Sequence, residues 1–322
     1  MDLFFQITPV KSTRIDVLVV NILNEHGHDI SRGIAQQLIE NSKVKVNGVV
    51  QNKPSSKFEG DLELSIDFDK TIVEKKINDA PVDLHLEVVY DDEDIAVINK
   101  PSGIAVHEGA GISTEPTLVN GLKFLFGNNL SSIDEARQGI VHRIDKDTSG
   151  LIIIAKNNIS HQILADAFKK HEVVKKYIAF TWGVPMMMEF TIDTFIGRSN
   201  KNRQKMAVVD NEENGKRAIS HFKILDNYQN IASKIECRIE TGRTHQIRVH
   251  LAYNKTPIIG DPLYTRSRVI SGEQEFFRTF KRQALHSACI GFNHPIKKQW
   301  MEFSSDMPPD MLSLEKLLLK YK

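Results

Sequence analysis

The residues best suited to chemistry fall in two short runs. The first, Gly139-Ile-Val-His-Arg-Ile-Asp-Lys-Asp-Thr-Ser-Gly150, is polar and leads straight into five apolar residues, Leu151 to Ala155. A polar loop on the rim of a core strand is where binding and catalytic groups tend to be held. Asp145 offers a carboxylate able to attack or to take a proton. A kinase catalytic loop also begins His-Arg, but Ile144 separates Arg143 from Asp145, and the chain has neither a Gly-rich phosphate loop nor an Asp-Phe-Gly. Ser149 as a hydrolytic nucleophile would need an elbow motif that is missing.

The second run is Glu240-Thr-Gly-Arg-Thr-His-Gln-Ile-Arg-Val-His250. Gly242 ends a strand, and Thr244 is placed to cap a helix running to about Tyr253. Free N–H groups at that helix start, with Arg243 beside them, suit a phosphate. His245 and His250 are five apart, on different helix faces, with no acidic ligand between them as in a zincin. Cys237 and Cys289 lie far apart, so neither a metal nor a disulfide framework is expected.

The elements that must carry these runs separate into a small module and a larger one. Ile15, Leu18, Val19, Ile22 and Leu23 recur at helical spacing, and Ser31 is placed to cap a second helix with Ile34, Leu38 and Ile39 on one face. Lys43 to Val46, Asn47-Gly48 and Val49 to Gln51 form a strand, tight turn and return strand. A further strand follows Gly60-Asp61. Polar residues around 73–84 suggest a linker between a module over 12–72 and a domain over 85–322. In the second part, strands at 88–90, 95–99 and 235–239 do not alternate regularly with helices at 117–126, 161–170 and from Pro309. That pattern predicts an α+β fold with a mostly antiparallel mixed sheet.

Composition narrows the class. The 322 residues are 41% hydrophobic and 26% charged, with a net charge of +1, which excludes disordered and collagen-like chains. No apolar run approaches a membrane span, and no secretion signal is seen. A cytoplasmic protein is expected. Near-neutral charge leaves RNA binding open, because what matters is where cations sit. They gather at Lys169, Lys170, Lys175 and Lys176, at Arg198, Lys201, Arg203 and Lys205, and at Arg266, Arg268, Arg278, Lys281 and Arg282.

Five ordered pieces resemble the RluA/RluD family of pseudouridine synthases. They are Asn99-Lys-Pro-Ser-Gly103 with Val106-His107; His142 to Gly150; Lys175-Lys-Tyr177; Thr241 to Arg248; and Arg282-Gln-Ala-Leu-His286 with His294-Pro295. The small module resembles an S4 RNA-binding domain through Arg14, Asp16, Ser31-Arg32, Gln36, Ile39, Val44 to Gly48 and Gly60-Asp61. Gly109-Ala-Gly111, Ile196-Gly-Arg198 and Lys205 to Val208 resemble the RluD branch, which implies large-subunit ribosomal RNA as partner. The family usually has Leu where Ile144 stands, and its RluD-like members have Pro and Gly where Glu108 and Pro116 stand.

The resemblance implies cofactor-free isomerisation of uridine to pseudouridine by an architecture of two modules, and a monomer is the default expectation. It implies Asp145 as the catalytic carboxylate, Arg248 paired with it, and Tyr177 stacked on the target base. Arg143 would occupy the space a flipped base leaves, as a planar cation can. RNA contacts are expected at His142, Arg143 and Arg243 and, on the S4-like side, at Arg32 and Lys45. The alternatives are another ribosomal site or transfer RNA as target, or an RNA-binding protein without catalysis.

Overall fold

The computed structural model describes residues 2–9, 11–28, 30, 32–68, 80–107, 115–199, 202, 205–265 and 280–322. It contains two compact units, one drawn from residues 1–80 and the other from residues 81–107 and 116–322. Ser31, most of the expected linker, Gly109-Ala-Gly111 and the cations Lys201, Arg203, Arg266, Arg268 and Arg278 lie outside the described residues.

In the first unit, helices α1 (Ile15–Glu25) and α2 (Arg32–Glu40) bury Ile15, Val19 and Leu23 against Ile34, Leu38 and Ile39. They cover a sheet of β1 (Asp2–Ile7), β3 (Val44–Val46), β4 (Val49–Gln51) and β6 (Leu62–Asp67), ordered β1-β6-β3-β4 and antiparallel throughout. A two-stranded ribbon of β2 (Thr13–Arg14) and β5 (Lys57–Phe58) lies beside α1 in sequence. Asn47 and Gly48 have φ of 49° and 77°, as a twist-matched hairpin turn requires. Strand β1 has no counterpart in the sequence reading. Its residues alternate only between exposed and half-buried, too weak a contrast to read as a period-2 signal.

The second unit is built on one sheet, with ten strands among the described residues. They are β7 (Glu87–Asp91), β8 (Ile95–Lys100), β9 (Ser149–Ala155), β10 (Val174–Trp182), β11 (Glu189–Arg198), β12 (Met206–Val209), β13 (Lys216–Tyr228), β14 (Ala232–Ile239), β15 (Leu285–Asn293) and β16 (Trp300–Ser304). The order is β12-β11-β13-β14-β10-β15-β9-β8-β7, with β16 also on β15. Every pair is antiparallel except β9 with β15, where His286 lies opposite Ser149. The fold is therefore α+β with a mixed, mostly antiparallel sheet. Helices α3 (Leu118–Phe126), α4 (Asn158–Lys169), α5 (Gln246–Tyr253) and α6 (Pro309–Leu318) complete it.

Two features of this sheet position the polar loop. All seven residues of β9 are buried, which anchors the loop's end in the core. At Gly150, φ is 110° and an added Cβ would stand 2.3 Å from the Ser287 carbonyl oxygen. Only glycine lets β9 close on β15 there. Among the described residues, no helix is long and apolar enough to cross a membrane.

Candidate active site

The loop from His142 to Gly150 is held from behind. Lys100 is fully buried and donates to the carbonyls of Pro101 (2.7 Å), Ile104 (2.9 Å) and Lys146 (3.0 Å). Burial pushes its amine down to about 7. The Gly103 N–H donates to the same Lys146 carbonyl. From the other side Arg282 donates to the Asp147 carbonyl at 3.1 Å, and the Gln283 amide donates to the Thr148 hydroxyl at 3.2 Å. A loop so tied holds its forward-facing side chains with little residual freedom.

Asp145 faces a cleft of about 530 Å³ whose lining includes Arg143, Tyr177, Arg243, His245, Arg248 and Leu285. Arg248, on α5, donates to Asp145 through Nη1 at 2.8 Å. Its Nε and Nη2 go instead to the two oxygens of Asp261, at 2.7 and 3.0 Å. Asp261 has no exposed side-chain surface, and its Oδ1 also accepts the N–H groups of Leu263 and Tyr264. Burial works against the Arg248 charge, but the carboxylates, Asp261 first, outweigh it and hold the guanidinium firmly protonated. The fork is thus fixed by Asp261, leaving one arm for Asp145, which keeps 18% of its side chain exposed.

Tyr177, on β10, forms the apolar wall. It is 6% exposed and lies between Cys237 and Ser287 on the flanking strands. Burial raises its phenol well above the ordinary value, Ser287 opposes this, and the nearby Asp145 charge adds to it. The hydroxyl therefore stays protonated.

Arg143 is exposed at the cleft mouth, with Nη1 3.2 Å from His107 Nε2. A guanidinium only donates, so His107 accepts through Nε2 and carries its proton on Nδ1. Burial, then the Arg143 charge, pushes His107 down to about 4, so it stays neutral and able to accept. His142 lies elsewhere. Its Nε2 accepts the Ile153 N–H at 2.9 Å and its ring stacks on Phe168 at 4.5 Å. It props the loop against β9 and α4 instead of offering its ring nitrogen to the cleft.

The second run departs from expectation at its helix start. Residue His245, with φ of 57°, occupies the cap position, and no side-chain cap forms. Thr244 is exposed and lines the cleft. The turn is organised by Gln246, whose carbonyl accepts from the Thr241 hydroxyl (2.8 Å) and the Arg243 N–H (3.0 Å), while its amide donates to Ile219 O and Ser220 Oγ. Arg243 itself is exposed beside the cleft, its Nε bonded to the Arg217 carbonyl. Two of the clustered cations are likewise structural. Lys175 is 5% exposed and donates to Glu240 O, and Arg282 pairs with Asp310. On β10, Lys175 shares the buried face with Tyr177 while Lys176 is turned to the other, because neighbours on a strand alternate faces.

In the other unit, Arg32 and Lys45 are both exposed. Arg32 is joined by Arg14 and Gln36 around the buried carboxylate of Asp16, at 3.0, 2.9 and 2.9 Å. Burial disfavours that charge, yet these three donors hold the Asp16 carboxyl well below the usual carboxylate range. Asp261, Gln246 and His107 had no role in the sequence reading. Asp261 lies 13 residues beyond Arg248, and the bond between them becomes visible only when α5 folds back.

A carboxylate held by a single arginine arm and a protonated tyrosine on the central strand line the same cleft. Residues 94–253 match the RNA pseudouridylate synthase family and residues 14–64 match the S4 domain. The chain belongs to the RNA pseudouridine synthase family and carries an S4 domain. It is 45% identical over 240 residues to ribosomal large subunit pseudouridine synthase D of Zymomonas mobilis, covering 74% of each chain. It is 39% identical to the uncharacterized RNA pseudouridine synthase YlyB of Bacillus subtilis, covering 96% of this chain and 95% of that one. Among solved structures, human RNA pseudouridylate synthase domain containing 4 aligns with a TM-score of 0.56 at 25% identity, over 71% of this chain and 92% of that one. The protein is an RNA-modifying isomerase.

Proposed function

We propose that the protein converts uridine to pseudouridine in large-subunit ribosomal RNA, with Asp145 as the catalytic carboxylate. The relatives named for that RNA support the substrate. The observation that carries the residue assignment is the Arg248 fork, two arms on buried Asp261 and one on cleft-facing Asp145.

The isomerisation breaks the bond from uracil N1 to ribose C1′, turns the base and joins C5 to C1′, after which the C5 proton leaves. Substrate and product have the same atoms and oxidation level. Asp145 acts at the ribose, as nucleophile at C1′ or as base. Tyr177 presents its ring to the released uracil, which must turn without escaping. A base inside folded RNA has to leave its stack first, and Arg143, aimed by His107, is suited to fill the gap. Arg243 near the cleft and Arg32 and Lys45 on the S4 domain are suited to phosphates. The S4 domain, within residues 12–72, supplies affinity and the domain over 85–322 supplies the reaction.

The test is tritium release from unmodified large-subunit rRNA labelled at uridine C5, because only loss of the C5 proton frees the label. The wild type is expected to release it. Asp145→Asn is expected to bind the RNA equally well and to lose at least about a thousandfold in rate, as removal of a covalent or charge-stabilising group does. Equal loss of binding and turnover would refute the assignment, and release from transfer RNA alone would move the substrate.

A further inference from the structure

A second concavity opens beside the catalytic cleft, between β12 and the C-terminal half of α5, with a floor of Val208, Val249 and Leu263. Tyr253 stands at its edge, 61% exposed, with Lys205 and Lys255 also in its lining. Among the described residues no carboxylate lines it. A lone exposed aromatic needs no explanation, but one beside an apolar floor and two cations has the makeup of a surface on which nucleic-acid bases stack while lysines meet the phosphates.

This groove adjoins the active site. Tyr264 belongs to its wall, and the Tyr264 hydroxyl is 2.9 Å from Nδ1 of His245, which lines the catalytic cleft. The two rings meet edge-on with centroids 5.7 Å apart. Arg248 sits over the face of Tyr264 at 5.2 Å, and Lys205 approaches the same ring at 6.0 Å. The His245–Tyr264 pair is therefore a thin partition with the reacting uridine's cleft on one side and the groove on the other.

We propose that this groove holds an unpaired nucleotide of the substrate RNA next to the target uridine, its base stacked on Tyr253 and its phosphates met by Lys205 and Lys255. The inference rests on the RNA-modifying reading above. A partner protein helix would instead want a longer apolar trough without lysines among the lining.

The test uses the full chain and two RNA fragments labelled at the same uridine, one with its unpaired neighbours and one cut back to the target. Tyr253→Ala is expected to raise KM about 5- to 100-fold on the longer RNA, with kcat unchanged. On the shortened RNA it should match the wild type. Tyr253→Phe, which keeps the ring, should behave as wild type on both. Lys205→Gln should raise KM on the longer RNA and flatten its salt dependence. Unchanged KM for Tyr253→Ala, or an equal rise on both fragments, overturns the proposal. If the wild type releases no tritium from either RNA, the functional reading fails first and takes the groove assignment with it.

Discussion

Each unit centres a charge cluster on one buried ion, and the two central ions have opposite signs. In the S4 domain the buried group is an acid, Asp16, and it orients two arginines whose side chains keep 38% and 53% of their surface exposed. In the synthase domain the buried group is a base, Arg248, 5% exposed, and it orients an acid that keeps 18%. Counting formal charges, two arginines and one aspartate leave the S4 cluster at +1, while one arginine and two aspartates leave the catalytic cluster at −1. A positive cluster suits a phosphate backbone, and a negative one suits a sugar centre that becomes electron-poor. In the function proposed above, the same device, a desolvated ion paired on several sides, serves attraction in one unit and reaction in the other.

Removing the buried acid from each cluster should separate these roles. Asp261→Asn leaves Arg248 with one full carboxylate partner, Asp145, and breaks a buried pair. Stability of the synthase domain is expected to fall by about 3–5 kcal/mol, and kcat by more than tenfold with little change in KM, as tritium release under saturating RNA would record. If kcat holds, Asp261 does not position the arginine. Asp16→Ala leaves two arginines that water can solvate, so the S4 domain should lose less, about 1–3 kcal/mol. Its signature is the reverse, a raised KM with kcat at saturating RNA within about twofold of wild type. A matching loss of kcat would end the division of labour drawn above.

Acid should also divide the two units. Burial pushes His107, His142 and His250 down to about 4, 3 and 4, whereas in an unfolded chain histidine titrates near 6.5. Between those values the unfolded chain binds protons that the folded synthase domain refuses, so its stability falls as pH drops below about 6.5 and is fully present above it. The Asp16 carboxyl is instead held below the usual range, so its contribution is present above about 3.9 and is lost only below that. Calorimetry of the full chain from pH 7.5 to 4.5 should therefore move the synthase transition down first. A parallel shift of both transitions would contradict this.

The smallest effect is expected at the surface. Arg32→Ala removes a half-exposed cation whose pairing contributes at most about 1 kcal/mol to stability. RNA affinity should weaken by less than tenfold, with the salt slope reduced by roughly one phosphate's worth. A larger stability loss, read from the unfolding midpoint, would mean that Arg32 serves the Asp16 cluster more than the RNA.

Much of this was legible in the residues themselves. Helical spacing located α1 and α2, Asn47-Gly48 located its hairpin, and the run from Leu151 to Ala155 read as a buried strand. The motifs around Asp145, Tyr177 and Arg248 pointed to one family and one reaction. Local order is written locally, because propensity and periodicity act over a few residues. Thr244, chosen by its capping chemistry, lost to the left-handed backbone of His245 and to Gln246, whose partners Ile219 and Ser220 come from a distant strand. Lys175 and Arg282, clustered with other cations in the sequence, are tied to Glu240 and Asp310 in the fold.

The sequence by itself determined the element types, the reaction class and the residues able to perform it. Tertiary structure alone decided which of them meet. The bond from Arg248 to Asp145 spans 103 residues and the strand contact that demands Gly150 spans 137. No local propensity encodes such distances. They are set when β9, β10 and β15 pack side by side and α5 folds against them, because a buried charge is stable only where partners from other segments surround it.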